Sequence, residues 1–489
     1  MHKKLQFQYK KAIKKLTILT LASAITLSSQ LTAFAAPSAQ ELAEQRKNLP
    51  IQSNSYENWP DGPQVSAQSA IVMDVDSGAV LYAKNIDEKL YPASTTKILT
   101  CLLAVENAQM DERVEFSYDA VFGVPRDGSN MGIDVGEILP MEDCLYGILV
   151  GSANEVAAAV GEHIGGDTET FLQMMNDRAK ELGCKNTNFM NANGLHDENH
   201  YTTAYDLALI GRAFFSNDYL ANIANTKRVH FEPTPTQPDD FYLNNKNKLV
   251  NGEIKYQYYL GGKTGYTSYA KQTLVSCAEK DGMRLVCVVM KEETPDQFND
   301  TVTLFNYAFS NFKKIKVSEV ETKYTIENTG FYNSGQDIFG SSKSILQLDS
   351  NGYIVIPSTV EFADVKSTIS YDDLKDGQVA NIKYTYNDIF VGNVSVNLSP
   401  NTENYDFETA STSSNNGITI INVKNVVLWI LAIAIFFSLV LFAVRYVNQY
   451  HFGGKKGRMA KKRRKRHIQR QRSVSPYRNF NFDDIDLRK

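Results

Sequence analysis

Ser94 and Lys97, in the stretch Pro92-Ala-Ser-Thr-Thr-Lys97, stand three residues apart just ahead of an apolar run (Ile98, Leu99, Leu102, Leu103, Val105) at helical spacing. Residues i and i+3 share one face of a helix, so the Lys97 amine can reach the Ser94 hydroxyl, and a helix N-terminus favours negative charge developing beside it. A serine with an amine base one turn away can attack a carbonyl carbon. Serine is also a common helix cap, so the pair needs support from elsewhere in the chain. Gly151-Ser152-Ala153-Asn154 lies where one helical pattern ends and a small-residue run, Glu155 to Val160, begins. It puts a hydroxyl and a carboxamide at a turn, although an N-cap joining two helices is the plain alternative. Lys263-Thr264-Gly265-Tyr266-Thr267 follows Tyr256-Gln-Tyr-Tyr-Leu260 and carries a third set of polar groups.

The hydrophobic pattern shows which elements must position these groups. Ser69–Asp74 and Ala79–Lys84 flank Val75-Asp-Ser-Gly78 and read as a β-hairpin feeding toward Ser94. From Ile98 to about Phe215 the pattern is mostly helical, broken by loops at 123–136, 161–168 and 191–200. Gln272–Ala278 and Met283–Met290 form a second hairpin around Lys280-Asp-Gly282. Both its faces are largely apolar, which predicts central strands covered by helices on each side. Thr301–Phe312 reads as the last helix of this unit. Short alternating runs such as Tyr353-Ile-Val-Ile356 and Val379–Tyr386 then predict a small all-β domain.

A chain of 489 residues exceeds one ordinary core, and its net charge of −4 is unevenly spread. Residues 1–15 hold six lysines and no acid, and 445–489 hold fifteen basic against three acidic residues, which leaves −22 for residues 16–444. So acidic a body argues against nucleic-acid binding. The lysines at 3, 4, 10, 11, 14 and 15 precede an uncharged stretch ending in Ala33-Phe34-Ala35, the pattern of a secretory signal peptide cleaved after Ala35, with an uncleaved anchor as the alternative. Val426–Val444 is long and apolar enough for one transmembrane helix, and the basic cluster behind it predicts a cytoplasmic tail with the body outside the cell membrane. The expected layout is a signal at 1–35, an arm at 36–60, a catalytic domain at 61–315, a β domain at 316–400, a linker at 401–425, the membrane helix at 426–444 and the tail at 445–489. Five cysteines form no metal-ligand spacing; a Cys277–Cys287 disulfide is conceivable, and buried free thiols are the expectation. His196 and His200 with Glu198 between them raise a zinc peptidase, but the glutamate is misplaced for a helical His-Glu-x-x-His, so neither metal nor cofactor is expected.

Taken together and in order, Pro92-Ala-Ser-Thr-Thr-Lys97, Gly151-Ser-Ala-Asn154 and Lys263-Thr-Gly-Tyr-Thr267 resemble the motifs of a low-molecular-mass penicillin-binding protein of the serine D-Ala-D-Ala carboxypeptidase type. Asn193-Gly-Leu-His196 and Tyr201-Thr-Thr-Ala-Tyr-Asp206 resemble that family's loop beside the active site. The resemblance covers roughly residues 60–315. It implies an α/β fold, an antiparallel sheet covered by helices with a helical subdomain. It further implies Ser94 as nucleophile, Lys97 as its base, Ser152 as proton relay and Asn154 as a partner for the substrate amide. Lys263, Thr264 and Thr267 would bind the terminal carboxylate, Gly265 would let an extended peptide lie on the strand, and the N–H groups of Ser94 and Tyr266 would form an oxyanion hole. The implied substrates are peptidoglycan stem peptides, with β-lactam antibiotics as covalent inhibitors. A DD-endopeptidase on the same site and a non-catalytic wall-binding protein stay open as alternatives.

Overall fold

The computed structural model describes residues 37–398, apart from 236, 237, 239, 325–345, 373 and 376, together with Tyr9. Five strands form an antiparallel sheet in the order Val80–Lys84, Ser69–Asp74, Met283–Glu292, Lys271–Lys280 and Tyr259–Thr267. Successive side chains on a strand point to opposite faces, so strands apolar throughout create two buried layers. Ile71, Met73, Val275, Val286 and Val288 face a cluster completed by the helices Lys97–Asn107, Asn154–Gly165 and Ala204–Phe215. Ala70, Val72, Leu274, Leu285 and Val289 face the other, completed by Trp59 and the helix Asp296–Asn311. Tyr259–Thr267 is an edge strand, and its free side is where the candidate groups collect.

The same alternation decides the cysteine question. Cys277 stands opposite Val286 and Cys287 opposite Ser276, and the two thiols enter different buried clusters on different faces of the sheet. The conceivable disulfide is therefore ruled out geometrically, and all five cysteines are buried thiols.

The loop expected at 161–168 is largely helix: Asn154–Gly165 runs straight through Gly161, and the next helix starts at Thr168 behind an Asp167 cap. A Cβ on Gly161 would stand 2.8 Å from the Phe171 ring, and one on Gly165 would stand 2.6 Å from the Phe171 backbone nitrogen. These glycines serve close packing of two helices rather than a turn. Near the start of the chain, the helix Ala39–Lys47 opens with a Ser38–Glu41 capping box. The arm after it packs onto the sheet, with the Trp59 Nε1–H donating to Leu81 O at 3.0 Å and Tyr307 Oη donating to Pro60 O at 2.7 Å.

Beyond Asn311, Phe312–Lys316 pairs with Tyr353–Pro357, and Leu346–Leu348, Lys366–Ser370, Gln378–Tyr386 and Ile389–Leu398 form a four-stranded sheet. Ile354 and Tyr384 join the cluster that holds Trp59, and Tyr353 Oη donates to Asp76 Oδ2 at 2.5 Å. Among the described residues no helix is long and apolar enough to cross a membrane. The expected membrane helix at 426–444, its linker and tail lie outside the described residues, as does the expected signal peptide apart from Tyr9.

Phe171 is 1% exposed and fills the space beside Gly161 and Gly165. Phe171→Ala is expected to cost about 3–5 kcal/mol, read as a lower denaturant midpoint at unchanged slope; a loss below ~1 kcal/mol would mean that the helix beginning at Asn154 is not anchored there.

Candidate active site

Ser94 lies in a single tight helical turn, Ala93–Thr96, that runs directly into the helix Lys97–Asn107. Ala93 ahead of it has φ +50°, the left-handed region that non-glycine residues avoid. Three hydroxyls pin this turn: Thr95 Oγ1 and Thr273 Oγ1 both donate to Pro92 O, at 2.7 and 2.9 Å, and Thr96 Oγ1 bonds His200 Nε2 at 2.8 Å. No side chain caps the helix at Lys97 or the helix at Asn154, so capping does not explain Ser94, Ser152 or Asn154.

Lys97 is fully buried and makes three contacts through Nζ: Ser94 Oγ at 3.1 Å, Asn154 Oδ1 at 2.8 Å and Asn193 O at 2.6 Å. None of the three is a carboxylate. Burial first, and then the charge of Lys263, push its pKa well below the ordinary lysine value. A neutral amine has two N–H donors and one lone pair. Asn154 Oδ1 and Asn193 O can only accept, so they take the two donors and the lone pair is left facing the Ser94 hydroxyl.

Ser152 ends the wide helical turn Gly147–Gly151 in the left-handed conformation, φ +61°, which swings its hydroxyl away from both helices. It meets Lys263, whose Nζ donates to Ser152 Oγ and to Thr264 O, both at 2.9 Å. Burial lowers the Lys263 pKa to about 7, and Lys246 adds to the shift. Asn154 opens the following helix; its backbone N–H donates to Ser129 O at 2.9 Å, and its Nδ2 faces Gly128, where a Cβ would come within 2.8 Å.

A cleft of about 520 Å³ runs over these groups, lined by Ser94, Ser129, Ser152, Lys246, Thr264 and Tyr266 among others. Of the nine residues singled out from the sequence, eight meet here. Thr267 is set apart: its Oγ1 accepts from Ala270 N at 2.9 Å and holds the turn that follows the strand, so it is not among the residues lining the cleft. Gly265 has a packing reason in addition to the expected one. A Cβ there would stand 2.3 Å from Thr273 Oγ1 and 2.9 Å from Ser94 N, so the missing side chain lets the strand press against the Ser94 turn.

Sequence reading missed the Asn193 carbonyl, a main-chain group with no side-chain signature, and Lys246, which lies in an undistinguished polar run and donates to Ser129 Oγ at 3.3 Å. Gly194 carried a turn signal that could have flagged it. It has φ +82°, and a Cβ would fall 1.9 Å from Ala93 O. The two histidines do not form a ligand pair. His200 is buried with its pKa lowered to about 4; Nδ1 accepts from Met190 N at 3.2 Å, so Nε2 carries the proton toward Thr96, and no lone pair is free. His196 instead stacks on Tyr269.

The Peptidase_S11 model, D-alanyl-D-alanine carboxypeptidase, matches residues 56–294. D-alanyl-D-alanine carboxypeptidase DacF of Bacillus subtilis is 36% identical over 253 residues, covering 50% of this chain and 63% of the relative, so the chain spans less than two thirds of that protein's length. The crystal structure of penicillin binding protein 5 from Haemophilus influenzae superposes with a TM-score of 0.55 at 27% identity, over 69% of this chain and 98% of that one. D-alanyl-D-alanine carboxypeptidase DacB2 of Mycobacterium tuberculosis is 33% identical over 260 residues, covering 51% of this chain and 84% of the relative. With the motifs converged on one cleft and most of the mycobacterial protein matched, the chain belongs to the D-alanyl-D-alanine carboxypeptidase family, Peptidase_S11.

Proposed function

We propose that this chain is a serine-type D-Ala-D-Ala carboxypeptidase that trims peptidoglycan stem peptides and is acylated by β-lactams at the same residue. The observation that carries this is the buried Lys97 amine, without a counter-ion, whose lone pair faces Ser94 Oγ at 3.1 Å. Ser94 Oγ attacks the carbonyl of the penultimate D-Ala while its proton passes to Lys97. The resulting oxyanion lies between the N–H groups of Ser94 and Tyr266, which the close approach at Gly265 brings together. As the tetrahedral species collapses, the terminal D-Ala leaves and its amine takes, through Ser152, which Lys263 holds, the proton that Lys97 had accepted. Water then cleaves the acyl-enzyme: Lys97, neutral again, accepts the water's proton and returns it to Ser94 Oγ as the acyl group leaves. The Thr264 hydroxyl and the charge of Lys263 hold the terminal carboxylate, and Lys246 at the cleft rim adds attraction for an anionic substrate end. The Asn154 carbonyl orients Lys97, leaving its Nδ2–H groups for the substrate amide.

The reading extends to the whole chain: export through the signal at 1–35, the strands of 316–400 as a spacer domain, and attachment by a single helix at 426–444 with the basic tail in the cytoplasm. The charge distribution supports it, because lysines and arginines after a membrane span stay on the cytoplasmic side.

Incubation with a defined pentapeptide stem is expected to release one D-Ala, by mass, and labelled penicillin to form a covalent adduct. Ser94→Ala is expected to lose both, by at least about 10³-fold. Cleavage of cross-bridges alone would point to an endopeptidase, and no adduct at all would leave a non-catalytic wall-binding protein. The acylation rate should trace a bell against pH, rising as Lys97 loses its proton and falling as pH climbs through about 7, where Lys263 loses its own. Lys263→Gln should erase the alkaline limb and move the acid limb to higher pH, because a cation that lowers Lys97 has been removed; an unmoved acid limb would contradict the coupling. In fractionated cells the full chain is expected in the membrane pellet and a chain ending at residue 400 in the soluble fraction. Recovery of the full chain as a soluble protein would refute the anchor.

A further inference from the structure

Beside the catalytic cleft lies a second one, of about 270 Å³, which the reaction above does not use. Its walls carry the rings of Tyr91, Tyr201 and Tyr269. Tyr269 is 61% exposed although it stacks on His196 at 3.8 Å between centroids, and His196 in turn meets Tyr91 edge-on at 4.7 Å. Solvent-facing aromatic rings held in fixed order beside an active site mark a recognition surface, since such rings pair an apolar face with a polar tip. The charges around them cancel. Lys89 and Lys291 line it together with Glu88 and Glu198; Lys89 lies over the Tyr201 ring at 4.3 Å, Glu88 is held by Gln68, and the side chains of Glu198 and Lys291 are left without a partner among the described residues. A cleft with flat rings, balanced charge and free donors and acceptors suits a neutral ligand rich in hydroxyl and amide groups and poor in apolar side chains.

Its position fits such a ligand to the substrate. Resting on the carboxypeptidase reading, the terminal carboxylate lies at Thr264 and the scissile carbonyl at Tyr266, so the upstream end of the stem must run on past Thr267 toward Tyr269. Tyr269 and Tyr91, which line the cleft, stand three residues along the chain from Tyr266 and Ser94, so at most about 10 Å away. That is within the roughly 13–14 Å that four stem residues can reach, and a stem that bends rather than running fully extended brings its upstream end there. The group attached upstream of a stem peptide in the wall is an amino sugar of the glycan strand, and the cleft has room for a single sugar ring. We infer that the cleft formed by Tyr91, Tyr201 and Tyr269 is a saccharide subsite that holds the N-acetylated sugar bearing the stem, so that the enzyme favours glycan-linked stems over free peptide.

The test compares D-Ala release from a free pentapeptide with release from the same pentapeptide carried on an N-acetylglucosaminyl-N-acetylmuramoyl disaccharide. The disaccharide-linked stem is expected to show a KM lower by about three- to tenfold with kcat unchanged. Tyr269→Ala should raise that KM to the free-peptide value, and Tyr201→Leu should do so in part; acylation by labelled penicillin checks that each variant's catalytic site is folded. Equal KM values for both substrates, or a preference that survives both substitutions, would overturn the subsite while leaving the carboxypeptidase reading standing. A preference only for a second, cross-linked stem would overturn it in favour of peptide binding there. Release of D-Ala from neither substrate would remove the carboxypeptidase reading and the subsite with it.

Discussion

Two lysine amines buried close together without a carboxylate partner govern the rest of the site. Lys97 bonds to Ser94, Asn154 and Asn193, and Lys263 to Ser152 and Thr264, all through neutral oxygens. An uncompensated buried ammonium costs several kcal/mol, so the proton is held more loosely than in water and a base becomes available near neutral pH. The fold bears this as lost stability. Both amines have folded pKa values below their unfolded value, so the cost is full at acid pH and fades as pH rises toward the ordinary lysine range. An ion-pair partner would recover that stability and destroy the base.

Holding those amines in place takes backbone that is itself under load. The turns carrying the two hydroxyls each include a non-glycine residue at positive φ, Ala93 at +50° and Ser152 at +61°. Such conformations cost about 1–3 kcal/mol each and persist only where the surroundings over-determine them. Here the surroundings are the Thr95 and Thr273 bonds to Pro92 on one side and the Lys263 bond to Ser152 on the other. Gly194 and Gly265 allow two further segments to close on the Ser94 turn at distances no Cβ could share. Rigid neighbours are available because the sheet beneath is apolar on both faces and packed on both. Its edge strand, Tyr259–Thr267, is usually the weak point of a sheet, and here it borders the cleft and can receive an extended peptide.

Much of this was legible in the sequence because it is local. Ser94 and Lys97 are one helical turn apart, and that spacing alone puts amine and hydroxyl together. The two hairpins of the sheet were visible as runs flanking Val75-Asp-Ser-Gly78 and Lys280-Asp-Gly282, and the doubly apolar faces of the second announced burial on both sides. Local reasoning failed where a residue's neighbours come from elsewhere. Gly161 read as a loop because nothing nearby shows that Phe171 will pack on it. Cys277 and Cys287 read as a conceivable pair because strand parity across the hairpin had not been fixed.

Which reactive groups exist, their order along the chain and the local geometry of the first pair follow from the residues alone, since types and short spacings are fixed before folding. Folding alone left Lys97 without a carboxylate partner, used one of its donors on the Asn193 carbonyl and pressed Gly265 against the Ser94 turn. Those outcomes depend on burial and on contacts between segments more than fifty residues apart, and neither quantity exists until the chain has closed on itself.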